Sequence, residues 1–253
     1  MVYTLDDACA LIAELLQVAE AVGDAAIAKH ADLAGLGAMF LARAGQSTCG
    51  AMILAKHGLN GDAMSVGRTI TELAIDYRYI ALDPLARLRK FEDYDRVAKF
   101  KIAKAIDKLY EGKIDRDAMR ILEQRHDTAK QNSPESKMNW AGASIRERAE
   151  EVDKAKLTPV SRLQLYELAY ADACGASHSG YGTLEYALVG RNEDTAIHFG
   201  PMKPELKPAD LAFLSMLLLT GDVFDANDLG DDKLANRVRA IDARRRAFTN
   251  DKY

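Results

Sequence analysis

Arg68 and Glu72 stand one helical turn apart in the run Val66-Gly67-Arg68-Thr69-Ile70-Thr71-Glu72, among apolar and small residues. A guanidinium and a carboxylate at this spacing share one helix face. One reading is an ordinary surface ion pair, worth a few tenths of a kcal/mol. The other is a partly buried pair, in which charge persists when it is matched or put to use. His178 is the third group. It follows Tyr166, Tyr170 and Cys174 in four-residue steps and sits between Ser177 and Ser179-Gly180. Imidazole exchanges protons near neutral pH. Arg68, Glu72 and His178 are therefore the candidate catalytic set: His178 moves a proton from a ribose 2′-hydroxyl, Arg68 stabilises charge developing on a phosphate, and Glu72 orients one of them. Tyr79, Trp140, Tyr166, Tyr170 and Ser177 are the candidate substrate-binding residues. The structural alternative makes the tyrosines a buried seam and His178 a backbone partner at a helix end.

Other chemistry is scarce. Gly180-Tyr181-Gly182 is followed by Thr183-Leu184-Glu185, so a dinucleotide fingerprint fails at its third glycine and lacks a preceding strand. The chain has no Walker loop, His-Glu-x-x-His, paired cysteine spacing or EF-hand loop. No cofactor and no metal are expected. Arg87, Arg89, Lys90, Arg96, Lys99, Lys101 and Lys104 make one basic segment, and Arg237, Arg239 and Arg244-Arg245-Arg246 another. A solvated face accounts for both more simply than a phosphate-binding surface.

Helices must carry these groups. Leu11, Leu15, Val18 and Val22 recur at helical spacing between Thr4 and about His30. A second helix, about Leu33 to His57, is rich in Gly and Ala, which lets another helix approach closely and would also suit self-association. It stops at Gly58-Leu59-Asn60-Gly61. The third runs from Asp62 to about Leu82, and Pro84 opens a fourth that reaches about Tyr110. Asp115 to Asn132 forms a charged fifth helix. Ser144 and Glu147 make a capping box for a short sixth, and Pro159 opens a helix carrying Leu163, Tyr166, Leu168 and Tyr170. A further helical piece reaches Gly190. The segment 191–208 is the least helical, with Thr195 to Phe199 an extended candidate, before helices at Pro208 to about Phe224 and Asp228 to Phe248. Strand alternation is nearly absent. The expected fold is all-α, a bundle of about eight to ten helices with little or no β structure. A single mostly helical domain over 1–253 is the simplest organisation, with its core at about 4–224 and a basic C-terminal helix at 228–248.

The 253 residues, 48% hydrophobic and 28% charged, suffice for a sizeable core. The longest apolar stretch, Leu211 to Leu219, is about half a membrane crossing, and no membrane partner is expected. The net charge of −4 argues against wholesale nucleic-acid coating. Three distant cysteines, Cys9, Cys49 and Cys174, and a start without a signal-like apolar run point to a cytoplasmic address.

Arg68-Thr69-Ile70-Thr71-Glu72 with Tyr79, then Asn139-Trp140-Ala141-Gly142 with Ser144-Ile145-Arg146, then Tyr166, Tyr170 and Ala176-Ser177-His178-Ser179-Gly180 follow one another in an order that resembles the bacterial domain-of-unknown-function family 5677. The likeness spans roughly residues 35 to 220. It implies an all-helical fold in which these polar positions recur, and no activity. Some helical families of this look resemble the HEPN ribonucleases, whose arginine precedes a histidine by four to six residues on one helix. Arg120 with His126, and Arg191 with His198, come near that spacing, but neither lies where that family places it, and His178 has no such arginine. The likeness to that family is analogy alone. Two functions follow. One is a metal-independent nuclease-like or toxin/defence-type enzyme acting on RNA. The other is a non-catalytic helical module that binds a protein partner or small ligand, with Arg68 and Glu72 as internal ties. RNA or a small ligand is the expected partner, with a homo-oligomer as a weaker expectation.

Overall fold

The computed structural model describes residues 3–110, 112, 114–132, 139–156, 160–170, 173–174, 188–189, 196–197 and 202–250. Among them are nine helices: α1 (Leu5–Ile27), α2 (Asp32–Lys56), α3 (Asn60–Leu82), α4 (Pro84–Leu109), α5 (Arg116–Asn132), α6 (Ile145–Lys154), α7 (Arg162–Leu165), α8 (Leu206–Ala226) and α9 (Asp232–Asn250). The all-α bundle expected from periodicity is the observed architecture. None of these helices is long and apolar enough to cross a membrane.

Local chemistry sets the boundaries. Thr4 caps α1 through a reciprocal box: its hydroxyl accepts from Asp7 N at 3.2 Å, while Asp7 Oδ2 accepts from Thr4 N at 2.9 Å. Asp83 caps α4, where Pro84 fills the first turn, and Ser144 with Glu147 forms the box that starts α6. The helix expected to open at Pro159 begins later. Ser161 caps α7, and the Asp153 carboxylate at the end of α6 accepts from Arg162 N at 2.8 Å and Leu163 N at 3.1 Å. An acceptor supplied by another helix therefore fixes the start that sequence alone placed too early. Tyr166–Tyr170 continues α7 as a π-helical turn. Where a helical piece was expected to reach Gly190, Leu188–Val189 forms a two-residue strand, β1. It pairs antiparallel with β2 (Ala196–Ile197), inside the extended candidate.

α8 packs against α1, α2 and α3, and α9 lies on α1 and α8. Phe213, Met216, Leu219 and Val223 of α8 are buried with Ile12, Leu15, Phe40, Ile70 and Tyr77. Each such side chain contributes about 1.5–3 kcal/mol of transfer free energy. Gly37 of α2 marks a close approach within this chain: a methyl on it would lie 2.9 Å from Val223 Cγ1 and 3.0 Å from Tyr77 Oη. α6 and the α7 segment pack on α3, whereas α5 packs chiefly on α4, so α4 and α5 form a hairpin beside the bundle.

Candidate functional site

α3 presents Arg68, Glu72, Asp76 and Tyr79 at three- and four-residue spacing, close to one face. The Arg68 Nε and Nη2 atoms each lie 3.1 Å from Glu72 Oε1. Tyr170 Oη donates to the same oxygen at 2.6 Å. The Arg68 guanidinium also sits 5.1 Å from the centroid of the Tyr170 ring, within cation–π range. Tyr166 and Tyr170 stack at 4.9 Å between centroids, with their planes at 23°. A π turn is wider than an α turn, and π turns recur at functional sites. Burial, and then the neighbouring Glu72 carboxylate, push the Tyr170 phenol well above its ordinary pKa.

One turn further along α3, Asp76 meets α6. Arg148 pairs with its Oδ1, and Trp140 Nε1 donates to Oδ2 at 3.2 Å. Trp140 is buried rather than lining an open pocket. Its ring meets Tyr79 at 5.7 Å and Phe91 at 5.2 Å, both edge-on. Arg87 of α4 stacks on Tyr79 at 3.8 Å, donates to Tyr79 O at 2.7 Å and pairs with Glu151 of α6. Arg87 therefore leaves the solvated basic face to which its segment assigned it. At α9, Arg245 grips both Asp210 oxygens at 2.9 and 2.8 Å, and Arg244 pairs with Glu14. Those cations hold the last helix down.

Desolvation raises the Asp76 carboxyl to about 6, against the lowering effects of Arg148 and the Trp140 hydrogen bond. A carboxyl raised in the folded state binds its proton more tightly there than in the unfolded chain. Its contribution to stability is then most favourable below about pH 4 and declines as pH rises through about 6. Denaturant titrations of wild type and Asp76→Asn at pH 4 and pH 7 measure this. The stability of wild type relative to the variant is expected to fall between the two pH values, and an unchanged difference would refute the assignment.

A second charged cluster lies in the core. Arg162 Nη2 of α7 donates to Asp222 Oδ2 of α8 at 2.7 Å, and Arg78 Nε of α3 stands 3.8 Å from Asp222 Oδ1. All three are buried, and Arg162 is 1% exposed. Nearby, Asn227 Nδ2 donates at 2.8 Å to Tyr77 Oη, whose pKa burial pushes up to about 12.

Among the candidate residues, the fold brings Arg68, Glu72, Tyr166 and Tyr170 together, and places Tyr79 and Trp140 in an adjoining aromatic cluster. Ser177 and His178 lie outside the described residues. Asp76, Arg148, Arg78, Arg162 and Asp222 were missed. Asp76 carried a usable signal, since it continues the four-residue step from Arg68 through Glu72. The partners of the other four come from distant helices, and no local spacing announces them.

No curated protein and no solved structure matches this chain. The model of the family of unknown function DUF5677 matches residues 35–196. That span runs from α2 to β2 and contains the Arg68–Glu72 face, Trp140, Tyr166 and Tyr170. With more than half of its length matched, the chain belongs to the family of unknown function DUF5677.

Proposed function

We propose that the chain is a non-catalytic helical module that binds a partner or small ligand, with Arg68, Glu72 and Tyr170 as the tie that holds the 160–174 segment on α3. The observation that carries this is the convergence of Arg68 Nε, Arg68 Nη2 and Tyr170 Oη on one oxygen, Glu72 Oε1. An oxygen with three donors around it is matched as a structural acceptor, and the Tyr170 hydroxyl is spent on it. Trp140 and Tyr79 are likewise engaged in packing. Three free thiols, Cys9, Cys49 and Cys174, suit a reducing cytoplasmic setting.

Tyr170→Phe removes one hydrogen bond to a charged acceptor and is expected to cost about 1.5–3 kcal/mol in a urea melt. Arg68→Ala and Glu72→Gln should also lower Tm. An unchanged Tm in all three would defeat this reading. The alternative, an enzyme acting on RNA, draws support from Asp76, which lies one turn from Glu72 and titrates near the range where acid–base groups work. It requires RNA cleavage by the purified protein that falls in Arg68→Ala and His178→Ala. The binding-module reading expects no cleavage to lose.

A further inference from the structure

We infer that the cleft between α2 and the α4–α5 hairpin binds a small aromatic anion of the nucleoside monophosphate type. The inference rests on the binding-module reading only in supplying a ligand; the tie at Glu72 is no part of this cleft. The cleft has a volume of about 640 Å³, within the size range of small-molecule sites. Leu36, Leu88, Phe91 and Leu122 supply its apolar lining. Phe91 is braced by two rings that do not line the cleft: Trp140 edge-on at 5.2 Å, with planes at 89°, and Phe40 at 5.6 Å. An aromatic ring held in this way is a preorganised surface for stacking, with little rotamer freedom left to lose on binding.

The charges around that lining separate by helix. On α4, Arg96 donates to Asp93 at 2.8 Å and Glu92 at 3.0 Å, and Lys99 pairs with Asp95 at 2.6 Å, so this wall is matched by its own neighbours. Arg125 on α5 and Asp32 at the start of α2 also line the cleft, and neither has an ion-pair partner among the described residues. An unpaired cation on one wall and an unpaired carboxylate on the other call for a ligand with an anionic group at one end and a hydrogen-bond donor at the other. The apolar lining calls for a flat ring between them. A nucleoside monophosphate with an amino-bearing base, such as AMP, combines phosphate, ring and exocyclic amine in that order, and a bare oxyanion does not. His30 lines the same cleft with its backbone in the left-handed region, φ 51°, a conformation uncommon for any residue but glycine.

Isothermal titration of the full chain with AMP, inorganic phosphate and adenosine tests the assignment. AMP is expected to bind saturably at one site, with phosphate and adenosine each at least about tenfold weaker. Arg125→Glu and Asp32→Asn should each weaken AMP by about tenfold or more. Both side chains are exposed, so these variants are expected to fold. Lys101→Ala, which lies outside the cleft, should leave the affinity unchanged. Absence of AMP, GMP, CMP and UMP binding at millimolar concentration overturns the inference, as does phosphate or adenosine binding as tightly as AMP, or AMP binding that Arg125→Glu leaves intact. Each of those results leaves the Tyr170 melts to stand or fall separately.

Discussion

Asp222→Ala is expected to cost the fold about 3–5 kcal/mol in urea unfolding. Asp222 is 2% exposed and is the carboxylate that faces both Arg78 and Arg162. Those two guanidiniums are 6% and 1% exposed, and neither Nε has a hydrogen-bond partner among the described residues. Removing the carboxylate leaves two buried cations with no ion-pair partner among the described residues, at the junction of α3, α7 and α8. Asp222→Asn should cost less, because an amide oxygen still accepts from Arg162 Nη2. A triple variant with apolar side chains of similar volume at 78, 162 and 222 should recover much of the loss, since the cost arises from unmatched charge rather than from missing contact. If Asp222→Ala unfolds at the wild-type urea midpoint, the cluster does not hold the core in this way.

Gly58→Ala is expected to cost about 2–3 kcal/mol. Gly58 has φ +70°, where a Cβ is disfavoured, and a methyl there would lie 1.7 Å from the backbone oxygen of Met202. That neighbour is main chain and cannot rotate aside. Met202 N donates to Gly58 O at 2.9 Å, and Asn60 Nδ2 donates to Lys203 O at 2.9 Å, so this contact seats the approach to α8 on the α2–α3 turn. The loss should appear in thermal melts together with faster amide exchange over residues 202–206. A Gly61→Ala control should be mild, because a methyl on Gly61 meets nothing within 4 Å among the described residues.

The helices were legible because their signals are local. Thr4, Asp83-Pro84 and Ser144 with Glu147 act on backbone groups within a turn of themselves, and the apolar period of α1 follows from geometry that any isolated segment obeys. Where a boundary depended on a distant acceptor, sequence reasoning missed it. Arg162 rather than Pro159 begins α7 because Asp153, nine residues away, takes its amide.

The candidate site divides along the same line. Sequence by itself determined that Arg68 and Glu72 pair, since a four-residue step within one helix leaves them little choice. It also indicated that the Gly- and Ala-rich α2 lets another helix approach closely, and the structure places that approach at Gly37. Tertiary structure alone decided that Tyr170, 98 residues on, would share the Glu72 carboxylate, that Arg148 would take Asp76 across 72 residues, and that Arg162 would find Asp222 across 60. It also decided that Trp140 would brace Phe91 instead of facing a ligand. The physical reason is that such partners meet only after the apolar faces of α3, α6 and α8 have packed, and burial then gives each charge its value.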